Sequence, residues 1–190
     1  MRQTHCMNRP HRFSHTSVSA TQSMRRTNSF FEWKRLWIGG VASSLAVAVM
    51  AAVRGRIEGR PLCTPLNAIS HILWGRGAAR QTNWTFRYTG LGLLLNGVAC
   101  VFWAGFFQAW RRTLPTPNSD HMSALAGIGT SAVAYITDYY VVPRRFTPGF
   151  ELCLSRRSFP WLYAALAVGL LVPHVVKFSE RQGDERTTTP

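Results

Sequence analysis

The chain has 190 residues, with 22 Lys and Arg against 8 Asp and Glu, which gives a formal net charge of +14. This length allows one bundle of membrane helices with polar tails and excludes a second soluble domain beside it. The charge does not indicate a nucleic-acid partner, because the arginines flank apolar segments and no nucleic-acid recognition motif accompanies them. Arginines in such positions are typical of contact with anionic lipid headgroups, so we expect the lipid bilayer to be the partner.

Four apolar segments dominate the middle of the sequence, at residues 36–53, 89–110, 122–142 and 160–176. Each is close to the roughly 17–25 helical residues that cross a hydrocarbon core of about 30 Å. A backbone in lipid has to satisfy its own hydrogen bonds, so each segment should be a helix. The sequence therefore predicts an all-α integral membrane bundle of four transmembrane helices over residues 36–176.

The flanking segments 1–35 and 177–190 are polar and are expected to be disordered tails. Met24 opens a more conventional beginning than Met1, so translation starts at either Met1 or Met24, and the sequence leaves both open. With the N-terminus inside, 12 Lys and Arg fall on the inner side and 10 on the outer side. These totals are nearly balanced, but the cluster directly before the first span favours both termini in the cytoplasm.

Small and polar residues inside the spans indicate how the helices pack. Gly40, Ser44 and Ala48 recur every fourth residue of the first span, which lets another helix approach closely. Asn96 is an amide within the second span, and its usual role is an interhelical hydrogen bond. Such stripes also permit a homo-oligomer or a membrane-protein partner.

The connection 54–88 is the longest, and it predicts a short helix between spans one and two. Thr64 precedes Pro65, which is the order of an N-cap residue and a proline at the first helical position. The helix over 65–81 is too short and too charged to span, so it should lie at the interface or re-enter the membrane. Thr147 and Pro148 repeat the pattern before a second short helix.

Six polar residues in or beside these two Thr-Pro loops should share one side of the membrane: Asn67, His71, Asp138, Arg144, Arg145 and Glu151. One interpretation is an anion site, with Asp138 carrying a proton or contacting a substrate. The other is structural, with arginines that anchor the loops and Asp138 paired with an arginine or a tyrosine hydroxyl. We favour the structural interpretation, because Asp138 lies near the end of its span, where a charge costs less.

No enzyme, metal or cofactor signature accompanies these residues. The sequence lacks the Ser-x-x-Lys, Gly-x-Ser-x-Gly, His-Glu-x-x-His and phosphate-loop motifs. Its histidines do not form the pairs that hold stacked haems, so we expect no cofactor. Cys63 and Cys153 fall on one side and either form a disulfide or remain free thiols; free thiols are favoured.

Three segments of the sequence resemble segments of a family of small four-span bacterial inner-membrane proteins. They are TPLNAISHILWG, WTFRYTGLG and DYYVVPRRFTPGFELCLS. The resemblance extends over about residues 62–169, apart from the central turn, and leaves out the N-terminal tail. It implies a multi-pass protein of the bacterial inner membrane and brings no activity with it.

Together these features favour a non-enzymatic component of the cell envelope, or an interaction partner within it. The rival hypothesis is a small transporter or lipid-handling membrane enzyme that uses Asp138, His71 and the Arg144–Arg145 pair. The two differ in whether these side chains meet in one cavity.

Overall fold

The structure, a computed structural model, describes the backbone of residues 15–116 and 119–187 and the side chains of residues 33–116 and 119–175. Residues 1–14 and 188–190 of the expected tails lie outside the described part. The chain forms two compact units, Met1–Lys34 and Arg35–Pro190. In the first unit the structure describes helical backbone from residue 15 and the side chains of Trp33 and Lys34. The fold below concerns the second unit.

Within the described ranges the protein is all-helical and has no strand, which confirms the predicted class. The α-helices are α1 (His15–Ile57), α2 (Thr64–Ile69), α3 (His71–Trp74), α4 (Leu91–Thr113), α5 (Asp120–Ile136) and α6 (Phe159–Thr187). Helical turns of π type precede α4 (Phe86–Gly90) and follow α5 (Thr137–Val141). Tighter 3-10 turns occupy Arg76–Arg80, Phe150–Leu152 and Arg156–Ser158.

Three helices are long and apolar enough to cross a membrane: Trp33–Ile57, Phe86–Thr113 and Arg156–Val175. They contain the first and second predicted segments and all but the last residue of the fourth. The helical backbone of α1 begins at His15, inside the segment expected to be disordered, and no Gly or Pro interrupts the sequence from there to Ile38. The backbone of α6 likewise continues into the C-terminal tail.

Helix α1 packs closely against both α4 and α6 through small residues. At Gly40 a side chain would collide with Val101 of α4, and at Gly169 of α6 it would fall on the Ser43 backbone. The Ser43 hydroxyl donates to the carbonyl oxygen of Leu166 at 3.3 Å. Ala48, the third member of the small-residue stripe, is also buried.

A buried amide joins α1 to α4 at the same interface. The Asn96 amide nitrogen donates to the backbone carbonyl oxygen and to the hydroxyl of Ser44, both at 2.9 Å. Since Asn96 is buried, its amide would lack partners if the two helices separated. Along their remaining edges, α5 packs on α6 and on α4.

The large apolar side chains of these helices face outward. Every fourth residue along one side of α1 and of α4 is exposed, and we call these two rows the outer stripes: Val41, Leu45, Val49 and Val53 on α1, and Leu94, Val98, Phe102 and Phe106 on α4. Continuous apolar surface of this extent is rare on proteins in water. It is the surface that a lipid-embedded helix presents.

The connection after α1 folds into several short pieces rather than the single helix expected over 65–81. Ser70 separates α2 from α3, and Gly75 ends α3 with a φ of 71°, which favours glycine. Cys63, not the expected Thr64, occupies the N-cap of α2. In the second loop, Gly149 rather than Thr147 occupies the N-cap of the turn Phe150–Leu152. Every residue of α2 is buried, so the helix is surrounded by protein; the interfacial position stays a prediction.

Two glycines allow α2 to pack closely against α1 and α4. Pro65 lies against Gly55 of α1, and the Leu66 carbonyl oxygen lies where a side chain of Gly92 would begin. Because neither glycine has a Cβ, the α2 backbone can approach α1 and α4 directly.

The contact between Gly169 and Ser43 predicts a large effect of one added methyl group. Gly169→Ala should destabilise the protein by about 1–3 kcal/mol, because the methyl overpacks the α1–α6 contact. Gly97→Ala is the matched control, since its nearest neighbour, the Ser44 hydroxyl oxygen, would lie 3.8 Å from the added carbon. Thermal unfolding of the two variants in detergent measures the difference. Equal melting temperatures would contradict the close contact.

Candidate functional site

A cavity of about 520 Å³ lies among α1, α2, α4, α6 and the turn that follows α5. Its inner wall consists of buried apolar side chains such as Val47, Leu162 and Leu166. Its outer rim includes Val98 and Phe102, which are 62% and 63% exposed and belong to the outer stripe of α4. The cavity therefore opens sideways, on the apolar flank of the bundle, and a mostly apolar ligand fits such a lining.

Asp138 is the one carboxylic acid among the residues that line this cavity. It lies in the π-helical turn Thr137–Val141, where the Val142 amide donates to the Thr137 carbonyl oxygen at 2.9 Å. Such π-helical turns are frequent at functional sites. The Tyr163 hydroxyl of α6 donates to Asp138 Oδ2 at 2.7 Å. Of the partners expected for Asp138, the structure gives a tyrosine.

An aromatic cluster holds Tyr163 in position. The ring of Tyr135 meets Tyr163 edge to face at 5.4 Å, and Tyr139 stacks on Phe159 at 4.8 Å. These rings come from the end of α5 and the start of α6, so they fix the two elements that carry the hydroxyl and the carboxylate. Tyr163 is not among the residues predicted from sequence, although a tyrosine inside an apolar segment is a visible signal.

Asn67 has a structural role in the loop fold. Its amide nitrogen donates to the carbonyl oxygens of Gln81 at 2.9 Å and Asn83 at 3.1 Å, and its amide oxygen accepts from the Thr89 hydroxyl at 2.6 Å. The side chain is fully buried. Asn67 therefore binds the end of the long connection to the start of the second span, and all its hydrogen-bonding groups are engaged.

His71 is buried beside α2 and is not among the cavity's lining residues. Its Nδ1 lies 2.9 Å from the Ala68 carbonyl oxygen, and its buried Nε2 has no hydrogen-bond partner among the described residues. The second Thr-Pro loop packs on this ring: Gly149, with a φ of 84°, lies so close to Ala68 and His71 that a side chain would not fit. His71 thus contributes to the contact between the two loops.

The remaining members of the six-residue set lie at the surface. Arg144, Arg145 and Glu151 are exposed, and no ion pair joins either arginine to a carboxylate in the described part of the chain. Glu151 accepts a hydrogen bond from the Thr147 hydroxyl, which also lies 3.0 Å from the Arg144 carbonyl oxygen. The set expected on one surface is therefore divided among the cavity, the loop interior and the exterior.

Glu58 connects the end of α1 to the start of α6. Its carboxylate accepts hydrogen bonds from the Ser155 amide and hydroxyl, each at 2.8 Å, and from the Ser158 hydroxyl. Burial acts to raise the pKa of Glu58, but these hydrogen bonds and nearby Arg54 outweigh it and lower the pKa below its ordinary value of 4.5. The ionised form is thus favoured in the folded protein.

Burial makes Cys153, one of the three described cysteines, a poor nucleophile at neutral pH. Cys63, Cys100 and Cys153 are free thiols, and burial raises the pKa of Cys153 to about 12. A thiol with such a pKa stays protonated at neutral pH. Within the described residues, no three His, Cys, Asp or Glu side chains lie together as metal ligands would.

No family model, curated protein or solved structure matches this chain. The relationship to small inner-membrane proteins stays an expectation from the sequence, and any functional assignment depends on the geometry described above.

The hydrogen bonds to Glu58 predict a pH dependence of stability. Because the folded pKa lies below 4.5, ionised Glu58 stabilises the fold above that value, and the contribution is lost as pH falls through the folded pKa. We expect Glu58→Gln to lower the melting temperature in detergent at neutral pH. The difference from the wild type should shrink as pH falls below 4.5. A difference that stays constant over this range would exclude a role for the charge.

Proposed function

We propose that this chain is a four-span protein of the bacterial inner membrane that binds one amphiphilic molecule in its lateral cavity. The observation that carries this proposal is the position of Asp138, a carboxylate hydrogen-bonded to Tyr163 in the wall of a largely apolar cavity. In this proposal the protein acts as a non-enzymatic component of the cell envelope.

The remaining span, the third in chain order, would be α5 together with the turn that follows it. Helix α5 has 17 residues, and the five-residue π-helical turn Thr137–Val141 continues it directly. At about 1.5 Å per residue the two together reach roughly 33 Å, close to the thickness of a hydrocarbon core. Their packing against α4 and α6 supports a span within the bundle. Both termini would then lie on one side, which we assign to the cytoplasm.

The rim of the cavity supports lipid as the route of entry. Val98 and Phe102 belong both to the rim and to the outer stripe of α4, so the opening faces the same surroundings as the stripe. If the stripe contacts acyl chains, a ligand with an acyl chain can enter without crossing water. The cavity volume of about 520 Å³ lies within the usual range for sites that bind one small molecule.

The second carboxylate oxygen of Asp138 determines which polar group the ligand should carry. One carboxylate oxygen accepts the hydrogen bond from Tyr163, and no described residue donates a hydrogen bond to the other. A carboxylate is an acceptor, so the complementary ligand group is a donor, namely a hydroxyl or an amine. The ligand class is thus an acyl-chain molecule with a hydroxyl or amine at one end.

The separation of the loop residues favours binding over the rival hypothesis of transport or catalysis. That hypothesis requires Asp138, His71 and the Arg144–Arg145 pair to act together. His71 faces the carbonyl oxygen of Ala68, and the arginines are exposed. Asp138 therefore shares the cavity with apolar side chains and Tyr163 rather than with these residues.

A long-chain alcohol and its methyl ether test this function directly, because they differ in one hydrogen-bond donor. The alcohol should bind the detergent-solubilised wild type about tenfold more tightly, as a hydrogen bond to a charged group is worth about 1.5–3 kcal/mol. Thermal stabilisation as a function of ligand concentration measures both affinities. Asp138→Leu should remove the preference for the alcohol.

Two substitutions on α4 separate cavity binding from general adsorption. Ala99 lines the cavity, so Ala99→Phe should block both ligands. Leu94→Phe is the control, because Leu94 belongs to the outer stripe of the same helix but not to the cavity lining. Equal ligand responses of the two variants would rule out the cavity as the binding site.

A further inference from the structure

A second pocket, of about 420 Å³, lies on the other side of α2 and has a different character. Its lining includes Arg60, which follows α1, and Arg76 and Arg80, the first and last residues of the 3-10 turn. Thr64 of α2 and Thr82 add two hydroxyl groups. Three arginines thus line one concave surface, which we call the basic pocket.

No carboxylate belongs to the lining of the basic pocket. In the described part of the chain, no ion pair joins Arg60, Arg76 or Arg80 to an acidic side chain. The positive charge of the pocket is therefore not neutralised from within the protein. A guanidinium group presents its N–H donors in a planar fork that matches the oxygens of phosphate.

Thr64 supplies an independent observation at the same place. The residue is only 2% exposed, and its hydroxyl has no hydrogen-bond partner in the described part of the structure. Buried hydroxyls without partners are rare and require an explanation. A ligand oxygen in the pocket would supply the missing partner.

The frame of the pocket is held in place by the rest of the loop. Ala78 and Ala79, between Arg76 and Arg80, are buried. Asn67 donates to the carbonyl oxygen of Gln81, directly after the turn. The positions from which the two arginines extend are therefore fixed before any ligand arrives, which reduces the ordering cost of binding.

We propose that the basic pocket binds a phosphate group, through the guanidinium groups of Arg60, Arg76 and Arg80 and the hydroxyl of Thr64. The phosphate belongs either to a lipid headgroup or to a free soluble anion, and the recognition chemistry is the same for both. The site is separate from the apolar cavity, since Thr64 lines the one and Ile69 of the same helix lines the other.

The test uses the purified full-length protein and two probes. Inorganic phosphate is compared with chloride at equal ionic strength, with the melting temperature in detergent as the measurement. Phosphatidic acid is compared with diacylglycerol of the same acyl chains, with the lipid retained in native mass spectrometry as the measurement. Stabilisation by free phosphate identifies a soluble ligand, and retention of phosphatidic acid without that stabilisation identifies a headgroup.

Three variants separate the pocket from general positive charge. Arg76→Gln/Arg80→Gln should weaken phosphate or phosphatidic acid binding by about tenfold or more, because each lost charged hydrogen bond is worth about 1.5–3 kcal/mol. Thr64→Val keeps the shape and should weaken binding a few-fold. Arg144→Gln/Arg145→Gln removes the same charge from exposed positions outside the pocket and should leave binding within about twofold of the wild type.

The outcomes that overturn the proposal are specific. It fails if phosphate does not stabilise the wild type relative to chloride and the Arg76–Arg80 variant retains as much phosphatidic acid as the wild type. It also fails if the Arg144–Arg145 variant loses as much affinity as the Arg76–Arg80 variant. Melting temperatures without ligand identify any variant that has lost its fold, in which case Thr64→Val decides. Retention of diacylglycerol should be unchanged in all three variants, so this result is independent of the cavity and its proposed ligand.

Discussion

The membrane helices turn their large apolar side chains outward and keep small and polar residues between them. Along α1, Leu45 and Val49 are exposed, whereas Ser43 and Ala48 are buried against neighbouring helices. In water this arrangement would forfeit most of the hydrophobic stabilisation of the fold. In a bilayer it is favourable, because acyl chains are as apolar as these side chains and association depends on close packing and hydrogen bonds. The rest of the structure follows from this constraint.

Close packing and a few polar contacts hold the bundle together under that constraint. Gly169 admits the backbone of Ser43, and Asn96 is hydrogen-bonded to Ser44. At one end, Asn67 attaches the long connection to the second span, and Glu58 attaches the end of α1 to the start of α6. The two candidate sites lie beside these attachments, so their walls come from elements that are already fixed.

Three of the four predicted spans coincide with membrane-length helices, because apolar length is a local property of the sequence; the span over 122–142 stays a prediction. The all-helical class agrees with the prediction as well. The small-residue stripe was equally visible, although its partners on α4 and α6 were not. Contacts between side chains that are distant in sequence could not be predicted. Asp138 and Tyr163 are 25 positions apart and come together only through the packing of α5 on α6.

The loop residues also made contacts that the sequence did not predict. Asn67 was grouped with a polar surface, but backbone carbonyl oxygens from another part of the connection satisfy its amide in the interior. The arginines that flank the apolar segments were expected to contact lipid headgroups, yet Arg111, directly after the second segment, is buried and donates to the Ser123 hydroxyl at 3.4 Å. The basic pocket is not predictable from sequence, because Arg60 lies far from Arg76 and Arg80 along the chain. The three residues line one pocket only when the connection folds.

The most direct test of the central claim is whether lipid contacts the outer stripes. A nitroxide label can be attached at residue 45, in a chain whose native cysteines are replaced, and the protein reconstituted into lipid bilayers. Leu62, exposed in the connection after α1, provides the control position. We predict that oxygen reaches the label at position 45 while a water-soluble nickel complex does not, and that the complex reaches position 62. Equal access of the nickel complex to both positions would contradict the account.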